Sequence, residues 1–136
     1  MSELTYDGLI ERFAQAECSW MSSVRPSGKV HSAPVWHVWH EEHVYVVTQE
    51  TAVKVGNIAH NPNVVVTHQD PIEPIIIEGT AVLVEGMTEA LRPYFQQKYE
   101  WDIVTDEAYQ AVIQIAPTKI IAWKQGGKGS FRWPAK

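Results

Sequence analysis

The sequence predicts a mainly β protein, one domain over residues 1–136, whose six to seven antiparallel strands close or nearly close into a barrel with peripheral helices. Three observations predict it. Short runs rich in Val, Ile, Thr and aromatic residues are separated at close spacing by Gly, Pro, Asn and charged punctuation. The helical patterns between them are brief. No linker, repeat or low-complexity tract divides the chain, and closure is the usual way for such a sheet to remove its edges.

Tyr6 to Glu17 places Leu9, Ile10 and Phe13 at near-helical spacing and reads as a short amphipathic helix. Cys18 to Val24, Val30 to Trp39 and Val44 to Thr48 read as a three-strand antiparallel meander. Its first turn is Arg25-Pro26-Ser27-Gly28-Lys29, where Pro fixes φ and Gly permits the left-handed region; Glu41-Glu42 makes the second, tighter break. Thr51 can cap a helix running to about His60, which Asn61-Pro62 stops. Asn63 to His68 is the fourth strand, Gln69 to Pro74 a loop, and Ile75 to Glu85 a long strand broken by Gly79. Thr88 to Tyr99 is helical, with Leu91, Phe95 and Tyr99 on one face, although Pro93 fits only a first turn and leaves that boundary open. Thr105-Asp106-Glu107 opens a further short helix. Val112 to Ile115 and Lys119 to Trp123 make a last strand pair around Pro117, and a Gly-rich tail ends in Phe131-Arg132-Trp133.

Composition narrows the function classes. A net charge of -5 disfavours a nucleic-acid backbone as partner, because phosphate contacts need a basic face. No stretch approaches the roughly 20 apolar residues that span a bilayer, and the acidic, polar start of the chain is unlike a signal peptide. A cytoplasmic protein is expected. One cysteine, Cys18, excludes an internal disulfide framework and a multi-cysteine zinc site, and reads as a small buried hydrophobe. Six Trp in a chain this short exceed what a core needs, so some of these rings are expected at a subunit interface or against a flat ligand.

The chemistry concentrates between Val24 and Asn63. Lys54 falls in the first turn of its helix, where unsatisfied N–H groups and the helix dipole favour an anion. Asn57 shares its face, while Ala52, Val55 and Ala59 form the apolar one. With Thr48 just before it, this set can hold a phosphate; taken by itself, Lys54 reads first as a solvated lysine on an amphipathic helix.

The order of several motifs adds to that reading. Ser23-Val24-Arg25-Pro26-Ser27-Gly28-Lys29-Val30-His31-Ser32-Ala33-Pro34-Val35-Trp36 resembles the opening hairpin of the pyridoxamine 5'-phosphate oxidase-like FMN-binding split-barrel family. Val44 to Thr48, then Lys54, Asn57-Ile58 and Asn61-Pro62, is similar to that family's next strand and phosphate-site helix, and Gly79-Thr80-Ala81 resembles its following barrel strand. The resemblance covers residues 18 to 85 well and the last third loosely. It implies a split-barrel homodimer with FMN, or a deazaflavin, at the subunit interface. Lys54 would then bind phosphate with support from Thr48 and Asn57, and Ser32, Ala33, Pro34, Val35 and Trp36 would line the ring. Trp123, Lys128, Arg132 and Trp133 would close over the ring of the neighbouring site as a flexible aromatic lid. The positions where many members carry further basic residues are Ala52, Val53 and Gly56 here.

Arg25 is either a phosphate contact or a solvated charge. His31, His37, His40 and His43 are close in sequence, but no Cys or Asp nearby completes a metal set, so surface and interface roles are expected. His68 is expected to face the interface from its strand. Trp36 and Trp39 lie on opposite faces of a strand, one packing and one pointing toward partner or ligand. The implied activity is that of an FMN-dependent oxidoreductase on a small molecule. A deazaflavin-dependent reductase is the nearest rival, and a non-enzymatic flavin or haem carrier or sensor is the second class. No residue is identifiable as a catalytic acid or base. A vitamin B6 substrate is disfavoured, because the tail lacks an arginine cluster for its phosphate.

Overall fold

The computed structural model describes residues 4–127 and 129–135. Helix α1, Tyr6–Gln15, is capped by Thr5, whose hydroxyl accepts from the Gly8 amide, and it buries Leu9, Ile10 and Phe13. Strand β1, Ser19–Val24, pairs antiparallel with β2, Val30–Val35, through the Arg25–Lys29 turn, where Gly28 takes φ 90°.

The expected three-strand meander does not form. The run from Val30 to Trp39 breaks at Trp36, and its second half is a separate strand, β3, His37–His40. β3 pairs not with β2 but with β4, His43–Thr48. With β5, Asn63–His68, β6, Ile75–Val84, and β7, Ala111–Trp123, the sheet order is β2-β1-β5-β6-β7-β4-β3. The two ends of that order are consecutive pieces of one chain segment. They share no ladder, so the sheet curls back on itself and stays split at Trp36.

Two further expectations change. The separate strands 112–115 and 119–123 are one 13-residue strand, β7. Pro117, which has no N–H to give, stands opposite Gly79, where the register of β6 and β7 shifts. A bulge absorbs the proline instead of ending the strand. The tail is neither frayed nor a free lid: β8, Ser130–Trp133, pairs with β7, and Phe131 and Trp133 pack against the main core. The sheet therefore has eight strands, one or two more than expected.

Helix α2, Val53–His60, has Ala52 as N-cap rather than Thr51, with no side-chain cap. Helix α3, Thr88–Tyr99, carries Pro93 inside it, beyond the first turn. Pro93 faces solvent, where the carbonyl it leaves unpaired can meet water. No helix forms at Thr105–Glu107. Turns replace it, held by the Asp102 and Asp106 carboxylates, which accept from the Val104 and Ala108 amides.

Two apolar clusters share the strands. Inside the barrel lie Phe13, Met21, Val46, Val66, Ile75, Ile77, Ile113, Ile115 and Ile120. Outside it, under α3, lie Val38, Tyr45, Val47, Leu91, Phe95, Ile103 and Val112. Strand β4 feeds both by alternation, so Val44 to Thr48 is buried on both faces. At the bulge, a Cβ on Gly79 would stand 2.5 Å from the Ala116 carbonyl oxygen. Gly79→Ala is therefore expected to lower stability by about 1–3 kcal/mol through forced backbone movement. Urea denaturation measures it, and an unchanged midpoint would contradict the close packing of β6 on β7.

Candidate functional site

Where β2 breaks, β4 ends and α2 begins, the fold leaves an open cavity of about 650 Å³. Its floor is the end of β4, with Val46, Val47 and Thr48. Pro34, Val35 and Trp36 line one side, Lys54 lines the cavity from α2, and the end of α3 with the turns after it continues the wall beside Trp36.

Lys54 is half-buried and forms no ion pair among the described residues. Burial alone pushes its pKa down from the usual lysine value. The first turn of α2 contains no acidic residue and no side-chain cap. A desolvated cation and uncapped N–H groups at one helix end are two incompletely satisfied electropositive features side by side. An anion satisfies both.

Of the residues singled out from the sequence, Pro34, Val35, Trp36, Thr48 and Lys54 meet at this cavity. The others do not line it within one chain. Asn57 is buried and donates through Nδ2 to the Ser23 hydroxyl at 3.0 Å, tying helix to barrel. The exposed Ser32 accepts from Ser22 across the β1–β2 ladder, and Ala33 is half-buried on the same strand. Arg25 is exposed in its turn, while Trp123 and Arg132 are exposed on β7 and β8. Lys128 lies outside the described residues. Cys18 is only half-buried, and its thiol donates to Gln69 Oε1 at 3.1 Å, so it is not the buried hydrophobe expected.

Sequence reasoning missed the wall: Tyr99, Glu100, Trp101, Asp106 and Tyr109. Trp36 stacks on Tyr99 with ring centres 4.4 Å apart and planes 4° from parallel. The Trp101 edge meets Trp36 at 5.8 Å and Tyr109 meets Trp101 at 5.5 Å. Trp101 Nε1 donates to Asp106 Oδ2 at 2.8 Å, which fixes the indole. The available signal was the cluster of aromatic residues just beyond a helix, outside any core periodicity.

His37 holds this region together. It is fully buried and stacked on Phe13 with ring centres 4.2 Å apart. Its Nε2 faces the Phe13 carbonyl at 2.8 Å and so carries the hydrogen, which leaves Nδ1 to accept from the Ser19 hydroxyl at 2.9 Å. Its amide donates to the Tyr99 hydroxyl at 3.0 Å, and its carbonyl accepts from Lys98 Nζ at 2.7 Å. The Tyr99 hydroxyl donates in turn to the Glu17 carbonyl at 2.7 Å. Burial pushes Tyr99 up to about 12 and Lys98 down to about 8. Burial, helped by the Lys98 charge, pushes His37 down to about 3. Among the described residues no group of three His, Cys, Asp or Glu side chains is placed to hold a metal. None of their helices is long and apolar enough to cross a membrane.

The family model described as pyridoxamine 5'-phosphate oxidase matches residues 8–124. The chain belongs to that family. No curated protein sequence matches it. Among solved structures, general stress protein 26 of Bacillus anthracis is similar at TM-score 0.72 and 24% identity, over 88% of this chain and 94% of the other. A pyridoxamine 5'-phosphate oxidase-related, FMN-binding protein of Nostoc punctiforme superposes at TM-score 0.71 and 13% identity, over 97% and 90% of the two chains. An F420 reductase superposes at TM-score 0.69 and 21% identity, over 88% and 98%. These likenesses fix the fold: the split barrel of the pyridoxamine 5'-phosphate oxidase family.

The depressed pKa of His37 has a consequence for stability. Its folded value, about 3, lies below the ordinary 6.5, so between those limits the unfolded chain binds the extra proton. The stabilisation is complete above pH 6.5 and is lost as pH falls from 6.5 toward 3, by at most ~1.4 kcal/mol per pH unit. At pH 5 the loss from this residue is roughly 2 kcal/mol. Urea denaturation across this range is expected to show the slope in the native protein and its absence in His37→Gln. Parallel pH curves for the two proteins would rule out a neutral, desolvated His37.

Proposed function

We propose that the protein binds FMN at this cavity and works, as a homodimer, as an oxidoreductase on a small molecule. The observation that carries the reading is Lys54, a half-buried cation with no ion-pair partner among the described residues, beside the uncapped start of α2. The donor set fits a phosphate: one cation, backbone amides and, from Thr48, a hydroxyl at the cavity floor. When bound, FMN supplies the electron- and hydride-transfer chemistry, and the protein supplies orientation and exclusion of water. Pro34 to Trp36 then lie beside the ring, and the aromatic wall screens it.

Arg25, Trp123 and Arg132, remote from the cavity in their own chain, would contact a cofactor only from a second copy. Trp20, Val30, Val82 and Leu83 are large apolar side chains left exposed on the strands, and a second copy would cover apolar surface of this kind. Deazaflavin is the second cofactor reading, favoured by the likeness to an F420 reductase. A carrier or sensor role is favoured by Ala52, Val53 and Gly56, which leave Lys54 as the one cation of its helix.

Two measurements test the proposal. Lys54→Ala is expected to weaken FMN binding by about 1.5–3 kcal/mol, the range for hydrogen bonds to a charged group, and to leave riboflavin binding almost unchanged. Equal losses for both ligands would mean that Lys54 acts through folding. Sedimentation at micromolar concentration is expected to give twice 15.4 kDa, and a monomer would remove the shared-site arrangement.

A further inference from the structure

The aromatic part of the cavity lining has a chemistry different from that of Lys54. Trp36, Tyr99, Trp101 and Tyr109 form a continuous aromatic surface, and Trp36 is still 49% exposed despite its stack on Tyr99. Two carboxylates line the same wall, Glu100 and Asp106. Among the described residues neither has a cationic partner. Asp106 accepts from the Trp101 indole and the Ala108 amide, both uncharged donors, so its negative charge is not cancelled. The nearby Lys98 does not line the cavity: its Nζ donates to the His37 carbonyl and lies 5.1 Å from the Tyr99 ring centre. Among the described residues this leaves Trp36, Trp101 and Tyr109 as the rings of the wall without a cation on them.

We infer that this wall is a subsite for a flat, positively charged ring, an aromatic cation that is the substrate of the site proposed above. A cation is attracted to the negative faces of Trp and Tyr rings, and carboxylates at the rim add to that attraction. An anionic ring meets the opposite field here and is directed to the Lys54 end. The cavity lining thus combines one cation, Lys54, with two carboxylates, Glu100 and Asp106. Its role as a substrate site rests on the flavin reading; the binding of the cation does not.

Glu100 offers a clean test, because it occupies the left-handed position that ends α3, at φ 53°, where glycine is the residue of least strain. Glu100→Gly therefore removes the carboxylate without removing helix stability. The probe is N-methylquinolinium, with quinoline as its flat analogue, uncharged near neutral pH, both followed by quenching of tryptophan fluorescence. The cation is expected to bind about fivefold more tightly than quinoline, and Glu100→Gly to abolish most of that margin. Quinoline and FMN affinities stay within twofold of the native protein, and the melting temperature does not fall. Asp106→Asn, which keeps an acceptor for Trp101, is expected to act in the same direction. Equal affinity for the two probes, or an unchanged cation affinity in both variants, overturns the inference. So does an equal loss of FMN affinity in Glu100→Gly, which would assign the carboxylate to the cofactor end. If the native protein binds no FMN while the cation margin depends on Glu100, the flavin reading falls and the subsite stands.

Discussion

One continuous segment supplies both ends of the sheet, and everything else in the structure depends on how it is bent. Val30–Val35 pairs at one end of the strand order and His37–His40 at the other, with only Trp36 between them. A bend there exposes backbone polar groups inside a protein, where an unpaired donor or acceptor costs about 1–3 kcal/mol. His37 removes that penalty with its amide, carbonyl and both ring nitrogens all engaged. Its four partners come from β1, α1 and α3, so a single residue ties the bend to every neighbouring element. The same completeness explains why it stays neutral, since a second ring proton would face the Ser19 hydroxyl in a site with no counter-charge.

The cavity is a by-product of that bend. A closed ladder between β2 and β3 would fill the space; the split leaves it open and points the Trp36 indole into it. Tyr99 couples the two features. Its ring stacks on Trp36, and its hydroxyl accepts from the His37 amide and donates to Glu17. The wall of the cavity is therefore held by the same hydrogen bonds that hold the barrel closure. Rigid support of this kind suits the binding of flat rings that we propose for this cavity.

Elements set by local pattern were legible in the sequence. β5 and α3 have the expected boundaries, because a period-two run beside Asn61-Pro62 and a helical repeat of Leu91, Phe95 and Tyr99 need no distant partner to be recognised. The break at Trp36 and the continuity of β7 were not legible. The first depends on His37 meeting Ser19, Phe13 and Tyr99, and the second on Gly79 lying across from Pro117. The site divides in the same way. Lys54, Thr48 and Pro34 to Trp36 sit near one another in sequence, and their convergence was expected. Asn57, expected to support a phosphate beside Lys54, takes part in the packing of α2 on Ser23. Glu100, Trp101 and Asp106 follow a helix whose docking no local pattern specifies, so their arrival at the same cavity could not be anticipated.

Stability alone does not account for what surrounds that cavity. Lys54 is half-buried without an ion-pair partner among the described residues, at a position where burial opposes its charge. Glu100 holds a left-handed backbone that glycine would adopt at less cost, and Trp36 leaves half of a large indole in solvent. Each is a local departure from what folding favours, and single departures are common in any protein. Three of them meet on one cavity, whose lining carries both a cation and carboxylates. Sites that bind or react are where sequences depart from local optima, because the groups they need are unsatisfied until a ligand arrives. That combination of unsatisfied groups supports the proposed site on grounds independent of which cofactor is assigned to it.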